Sequence, residues 1–190
     1  MTLLKRIAAT ALSGFAALGF ASASYATPER GGLIQEGSID AHVVLAQAIE
    51  RVGVNFVVNH KFCEENPQIM GFYSGSHDLL VVCQDNYVPG GGQVAWTAND
   101  LDTLRHEAQH LIQDCMIGEN TDHVLGNVYR YPVQLGLSIL GVKRINEITI
   151  TYRRSGADDD TLRLEYEAFA VAQMNVPLEQ TQDIAEYCGV

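Results

Sequence analysis

Apolar positions change their spacing several times along this chain, and each change marks an element. From Ile7 to Ala23 they run on without a charge. From Ser38 or Asp40, either of which offers an N-cap, to Arg51 the spacing is helical, and Gly53 supplies a stop. Val54 to Asn59 (VNFVVN) is β-branched and aromatic, as a strand would be. Ile69 to Ser74 and Leu79 to Cys83 repeat that pattern on either side of Gly75-Ser76-His77-Asp78, which is a hairpin signal. Asp85 to Gln93 has Pro89 ahead of three glycines and must be a loop, either a rim of a cleft or a plain connector. Helical spacing returns between Thr97 and Gly118. There Leu101, Leu104, Ala108, Leu111, Ile112 and Cys115 share about 100° of a helical wheel. Thr97 with Asp100 resembles a capping box, Asn99 is a second cap candidate, and Gly118 ends the segment.

Residues 119–141 carry scattered glycines and Pro132 and show no clear period. Ile145, Ile148 and Tyr152 predict a helix over Val142 to Arg154, although Ile-Thr-Ile-Thr within it also fits a strand. Asp158 to Met174 and Leu178 to Tyr187 then read as two closing helices around Pro177. The order is a helix, a small antiparallel sheet and a mostly helical second half. That is an α+β chain with no repeat and no second domain.

Composition refines this picture at the N-terminus. Lys5 and Arg6 precede the apolar run, which closes on small residues up to Ala26, the pattern of a secretory signal peptide over 1–26. The run is marginal for spanning a bilayer and is rich in Ala, Gly and Ser. Residues 27–37 look like a loose leader, so 27–190 is expected to be one exported domain, periplasmic or secreted. Losing Lys5 and Arg6 takes the formal charge from −11 to −13. Such acidity disfavours phosphate backbones and anionic lipid, which argues against nucleic-acid partners and against a membrane partner after cleavage. It leaves the oligomeric state open. Four cysteines in an exported chain suggest two disulfides. The hairpin would carry Cys83 back towards Cys63, pairing those two and leaving Cys115 with Cys188.

The candidate chemistry sits on the capped helix. His106 and His110 in LRHEAQHLIQDC lie one turn apart, opposite the apolar stripe. Imidazoles at that spacing close on one zinc ion without bending the backbone. Glu107 points around the helix and suits a general base that deprotonates the attacking water. A catalytic zinc needs a third protein ligand. Candidates are Glu119, Asp122, His123, Glu147, Glu165 and Glu167, with His42, His60 and His77 less suited. The stretch LEYEAFA favours Glu165, because Ala168 at i+3 keeps that helix face thin, while Glu167 heads a similar stretch two residues on.

H-E-x-x-H followed on a later helix by a glutamate heading an E-x-x-A stretch resembles the gluzincin group of zinc metallopeptidases, and its minimal secreted bacterial members in particular. The resemblance implies a zincin-like fold and an exported hydrolase that cleaves peptide bonds in peptide or protein substrates. It implies His106, His110 and Glu165 as zinc ligands and Glu107 as the base. Gln113 and Met116 exclude the metzincin continuation. Phe169 stands where many gluzincins brace a histidine with an acidic residue, so bracing would fall to Gln113 or Asp114. Tyr152 is the expected oxyanion donor, with Tyr129, Tyr131 and His123 as alternatives. Two other functions fit the same residues: a non-catalytic protein keeping the zinc site, or a cell-envelope binding module without metal.

Overall fold

The computed structural model describes residues 38–117 and 124–189. The signal segment 1–26, the leader 27–37, Gly118, Glu119, Asp122 and His123 lie outside the described residues. Helix α1 (Ile39–Arg51) starts where expected, the Ser38 hydroxyl accepting the Ala41 N–H at 3.1 Å. Strand β1 (Asn55–Val58) follows, then a short helix α2 (Lys61–Glu65) that the sequence pattern does not announce. Strands β2 (Gly71–Ser74) and β3 (Leu79–Val82) form the expected hairpin about a 3₁₀ turn at Gly75–His77. Helix α3 (Ala98–Ile117) carries the H-E-x-x-H motif. The long helix α4 (Pro132–Arg154) and helices α5 (Asp159–Met174) and α6 (Pro177–Cys188) complete the chain.

The fold is α+β with a small sheet and mostly helical content, but the sheet is mixed rather than antiparallel. Its order is β1-β3-β2, with β2 antiparallel and β1 parallel to β3. The reason lies in β3, whose Leu80, Val81 and Val82 are fully buried. So apolar a run is satisfied only between two neighbours and beneath covering helices. Once it sits between β1 and β2, a hairpin partner on one side and a returning strand on the other produce a mixed sheet.

Helix α3 begins with the predicted capping box. Thr97 N–H donates to Asp100 Oδ2 at 2.8 Å, and Asp100 N–H donates to Thr97 Oγ1 at 3.1 Å. Leu104, Ala108, Leu111 and Ile112 enter the main core with Leu45, Ile49, Leu80, Val82 and Ile184. A second, smaller apolar cluster joins α4 to α5 through Ile145, Ile148, Leu162 and Tyr166. The predicted helix over Val142 to Arg154 is the second part of α4, which starts at Pro132 and breaks its regular geometry at Gly141 (φ 76°, ψ 164°). A positive φ there suits glycine.

Both expected disulfides are present: Cys63–Cys83 ties α2 to the end of β3, and Cys115–Cys188 ties the end of α3 to the end of α6. Spanning 20 and 73 residues, they stabilise the fold by about 3 and about 4 kcal/mol through the entropy they remove from the unfolded chain. Two disulfides fit an oxidising compartment outside the cytoplasm. No helix among the described residues is long and apolar enough to cross a membrane.

Candidate metal centre

Each histidine of the motif faces α5 rather than solvent. The sequence places them opposite the apolar stripe, and so outside the core, yet α5 lies across that side and buries both. Helix α3 is therefore enclosed on two faces. Ala168, small and fully buried on α5, allows this close approach.

Donor atoms of three residues converge there. His106 Nε2 and His110 Nε2 are 3.2 Å apart. Glu165 Oε2 lies 3.3 Å from the first, and Glu165 Oε1 lies 3.5 Å from the second. A tetrahedral zinc with arms near 2.0–2.1 Å requires ligand atoms about 3.3 Å from one another; the three nearest separations are close to that, each histidine facing a different Glu165 oxygen, and one donor atom from each residue lies within 4.8 Å of the other two. Glu165 Oε2 and His106 Nδ1 are buried without a hydrogen-bond partner among the described residues. Glu165 Oε2 does face His106 Nε2, 3.3 Å away, and a cation bound between the two would serve both atoms. The donor set, two nitrogens and a carboxylate, is one that zinc accepts. His106, His110 and Glu165 retain 7%, 7% and 9% exposure, so the site is recessed but not sealed.

Without a metal the cluster holds itself together by charge. Burial alone would raise the Glu165 pKa, but His110 and His106 reverse the sign and hold its carboxyl well below the usual range. Burial likewise disfavours charge on His110, yet the Glu165 carboxylate outweighs it and the pKa is pushed up to about 9. Metal must displace that proton. Zinc affinity is therefore expected to rise about tenfold per pH unit towards pH 9 and then level off, measurable by chelator competition.

Glu107 stands beside the ligands but is not one of them. Burial raises its pKa, the nearby histidines oppose this, and the Tyr73 N–H reaches its carboxylate. Strand β2 is pressed onto the helix at this point. A Cβ on Gly71 would lie 2.6 Å from both Val81 O and Thr103 Cγ2, and 3.2 Å from Glu107 Cγ, so only glycine fits. Met70 O accepts the Cys83 N–H at 2.7 Å, so alternate residues of β2 face β3, while Gly71 and Tyr73 turn their backbone groups outward. The free edge of the sheet thus runs past Glu107.

Support for the ligands comes from Gln113, whose Oε1 lies 2.7 Å from His110 Nδ1. That contact directs the Nε2 lone pair at the centre. Asp114, the other candidate, instead accepts the Tyr73 hydroxyl at 2.7 Å. Phe169 stacks on the His106 ring, centroids 4.2 Å apart. Replacing Gln113 by Leu is expected to weaken metal binding about 10–100-fold, and because it also removes a donor to the buried Glu167, metal titration is read beside thermal melting of the metal-free protein to separate the two effects.

The remaining candidates separate cleanly. Glu167 is fully buried but engaged elsewhere: Gln109 Nε2, Gln113 Nε2 and the Val128 and Tyr129 N–H groups donate to it at 2.9–3.1 Å. It anchors the segment ahead of α4 and is no ligand in this arrangement. This polar seam of Gln109, Gln113 and Glu167 escapes sequence reasoning, although two glutamines one turn apart on the motif face hint at it. Glu147 pairs with Arg144 on the surface at 3.4 Å. His42 lies against Ser38 and Arg105, His60 caps α2, and His77 contacts Ser74. Tyr152 faces the centre: burial and then the Glu165 carboxylate raise its phenol pKa well above the ordinary value. Tyr131 is exposed, while Tyr129 is raised by burial and by Asp183 of α6.

A family model described as Domain of unknown function (DUF8637) matches residues 38–188. No curated protein and no solved structure matches the chain.

Proposed function

The chain belongs to this family of unknown function, and we propose that it is an exported zinc metallopeptidase of gluzincin type, cutting peptide bonds in peptide or protein substrates. One observation supports the reading: the His106 and His110 Nε2 atoms are 3.2 Å apart and each faces a different Glu165 oxygen, at 3.3 and 3.5 Å, so that one donor atom from each residue lies within 4.8 Å of the other two. Zinc there would supply Lewis-acid chemistry, polarising a carbonyl and making water acidic near neutral pH. Glu107, kept beside the ligands by its place on α3, takes the proton of the attacking water and passes it to the leaving amine. Its burial suits that role, since a base with raised proton affinity works closer to neutral pH. Tyr152 stays protonated across the neutral range and donates a hydrogen bond to the developing oxyanion. The outward backbone groups of Gly71 and the Tyr73 carbonyl pair with an extended substrate laid along β2, the Tyr73 N–H being held by Glu107.

The test is a peptide-library digest by zinc-loaded protein beside its Glu107→Gln variant. Cleavage by the first and not the second supports the reading. Cleavage by neither, with zinc bound, leaves a non-catalytic metal site, the reading that the recessed position of the ligands favours.

A further inference from the structure

Glu167 follows the ligand Glu165 by two positions on α5 and is fully buried. Its Oε1 accepts Gln109 Nε2 at 3.1 Å, Gln113 Nε2 at 3.0 Å and the Val128 N–H at 3.0 Å, while Oε2 accepts the Tyr129 N–H at 2.9 Å. A buried carboxylate so supplied is satisfied on both oxygens and fixed in place.

Gln113 stands between this carboxylate and the metal centre. Also fully buried, it has two amide hydrogens and one carbonyl oxygen to place. Glu167 Oε1 and the Leu164 carbonyl, 3.1 Å away, can only accept, so both amide hydrogens turn to them. Gln113 Oε1 is then left facing His110 Nδ1 at 2.7 Å, and it too can only accept. His110 must therefore donate from Nδ1. Its lone pair for a metal is on Nε2, the atom that faces His106 and Glu165. Were the Gln113 amide reversed, its N–H would face Nδ1 and its oxygen would face two acceptors. The orientation of a ligand on α3 is thus set from α5, through a side chain that also grips the backbone beside Glu165.

The same carboxylate reaches the segment ahead of α4. There the Gly126 N–H donates to the Gln113 backbone carbonyl at 2.9 Å, and a Cβ on Gly126 would lie 2.6 Å from Ile117 Cδ1, so the segment rests directly on α3. With its Val128 and Tyr129 N–H groups held by Glu167, it helps to bury Gln113 and to keep water from competing for the His110 contact. We infer that Glu167 is a positioning residue for the metal centre: through Gln113 it holds His110 with Nδ1 protonated and Nε2 open to a metal. The inference rests on the zinc reading proposed above and extends it to a residue that is itself no ligand.

Zinc affinity measured by chelator competition in the unaltered chain, Glu167→Gln, Gln113→Leu and the double variant tests it. Glu167→Gln keeps the size of the side chain but sets an N–H against a donor, and is expected to weaken zinc binding about tenfold. Because Glu167 acts through Gln113, the same change made on top of Gln113→Leu should cost almost nothing further, although the melting temperature falls in both backgrounds. Full affinity in Glu167→Gln, or an equal loss in both backgrounds, overturns the inference, the second outcome marking a role in the fold alone. A measurement on unaltered, metal-free protein covers the case in which Glu167→Gln does not fold. NMR spectra should show the Gln113 amide protons and the His110 Nδ1 proton exchanging slowly with water, and rapid exchange of either overturns the relay. Should the unaltered protein bind no zinc while those protons stay protected, and Glu167→Gln release the His110 proton, the relay stands and the metallopeptidase reading falls.

Discussion

Unaltered protein is expected to purify with about one zinc ion per chain, and protein carrying His106→Ala without it. The substitution removes one ligand and leaves His110 and Glu165, at 3.5 Å, to hold the ion alone. Loss of an outer support costs about 10–100-fold in affinity, and loss of a direct ligand must cost more. Thermal unfolding supplies a second readout. A metal that binds only the folded state at a thousand times its Kd adds about 4 kcal/mol of stability. Melting of the unaltered protein should thus fall on chelation and recover with zinc, while His106→Ala should respond to neither. Unaltered protein that purifies metal-free and gains no stability from zinc would remove the basis for a metal centre.

Glu107→Gln is expected to leave zinc content near one per chain and to lower kcat for peptide cleavage by about 10²–10⁴-fold, the range for removing a general acid–base group. Glutamine keeps the size of the buried side chain and still accepts the Tyr73 N–H, so the change is chemical rather than structural. Metal content and melting temperature measured on the same sample separate loss of chemistry from loss of fold. Unchanged cleavage would reassign the base.

The motif helix is legible in the sequence because its signals are local: a capping box, an apolar stripe and two histidines one turn apart. The disulfide pairing follows from the hairpin, which is local too. Glu165 is less direct, since its approach to His106 depends on small Ala168 letting two helices close up, a packing property that one sequence only suggests. What escapes the pattern is set by distant partners. The parallel pairing of β1 follows from the need to bury β3. The burial of His106 and His110 follows from α5, and the role of Glu167 follows from donors on α3 and on the segment before α4. Helix α2 is a single turn and a half whose cap is His60, a residue that rarely announces a helix start.

The two apolar clusters described above do not merge. The Cys115–Cys188 bridge packs on the larger one, while the α4–α5 pair has only its own small cluster. Where α5 meets α3, amide and carboxylate groups and the His106–Phe169 ring contact make up the joint. The molecule is thus two leaves joined along a hydrophilic spine. An ion gripped by His106 and His110 on one leaf and Glu165 on the other would rivet the joint, and stripping it would slacken the binding without melting the pages.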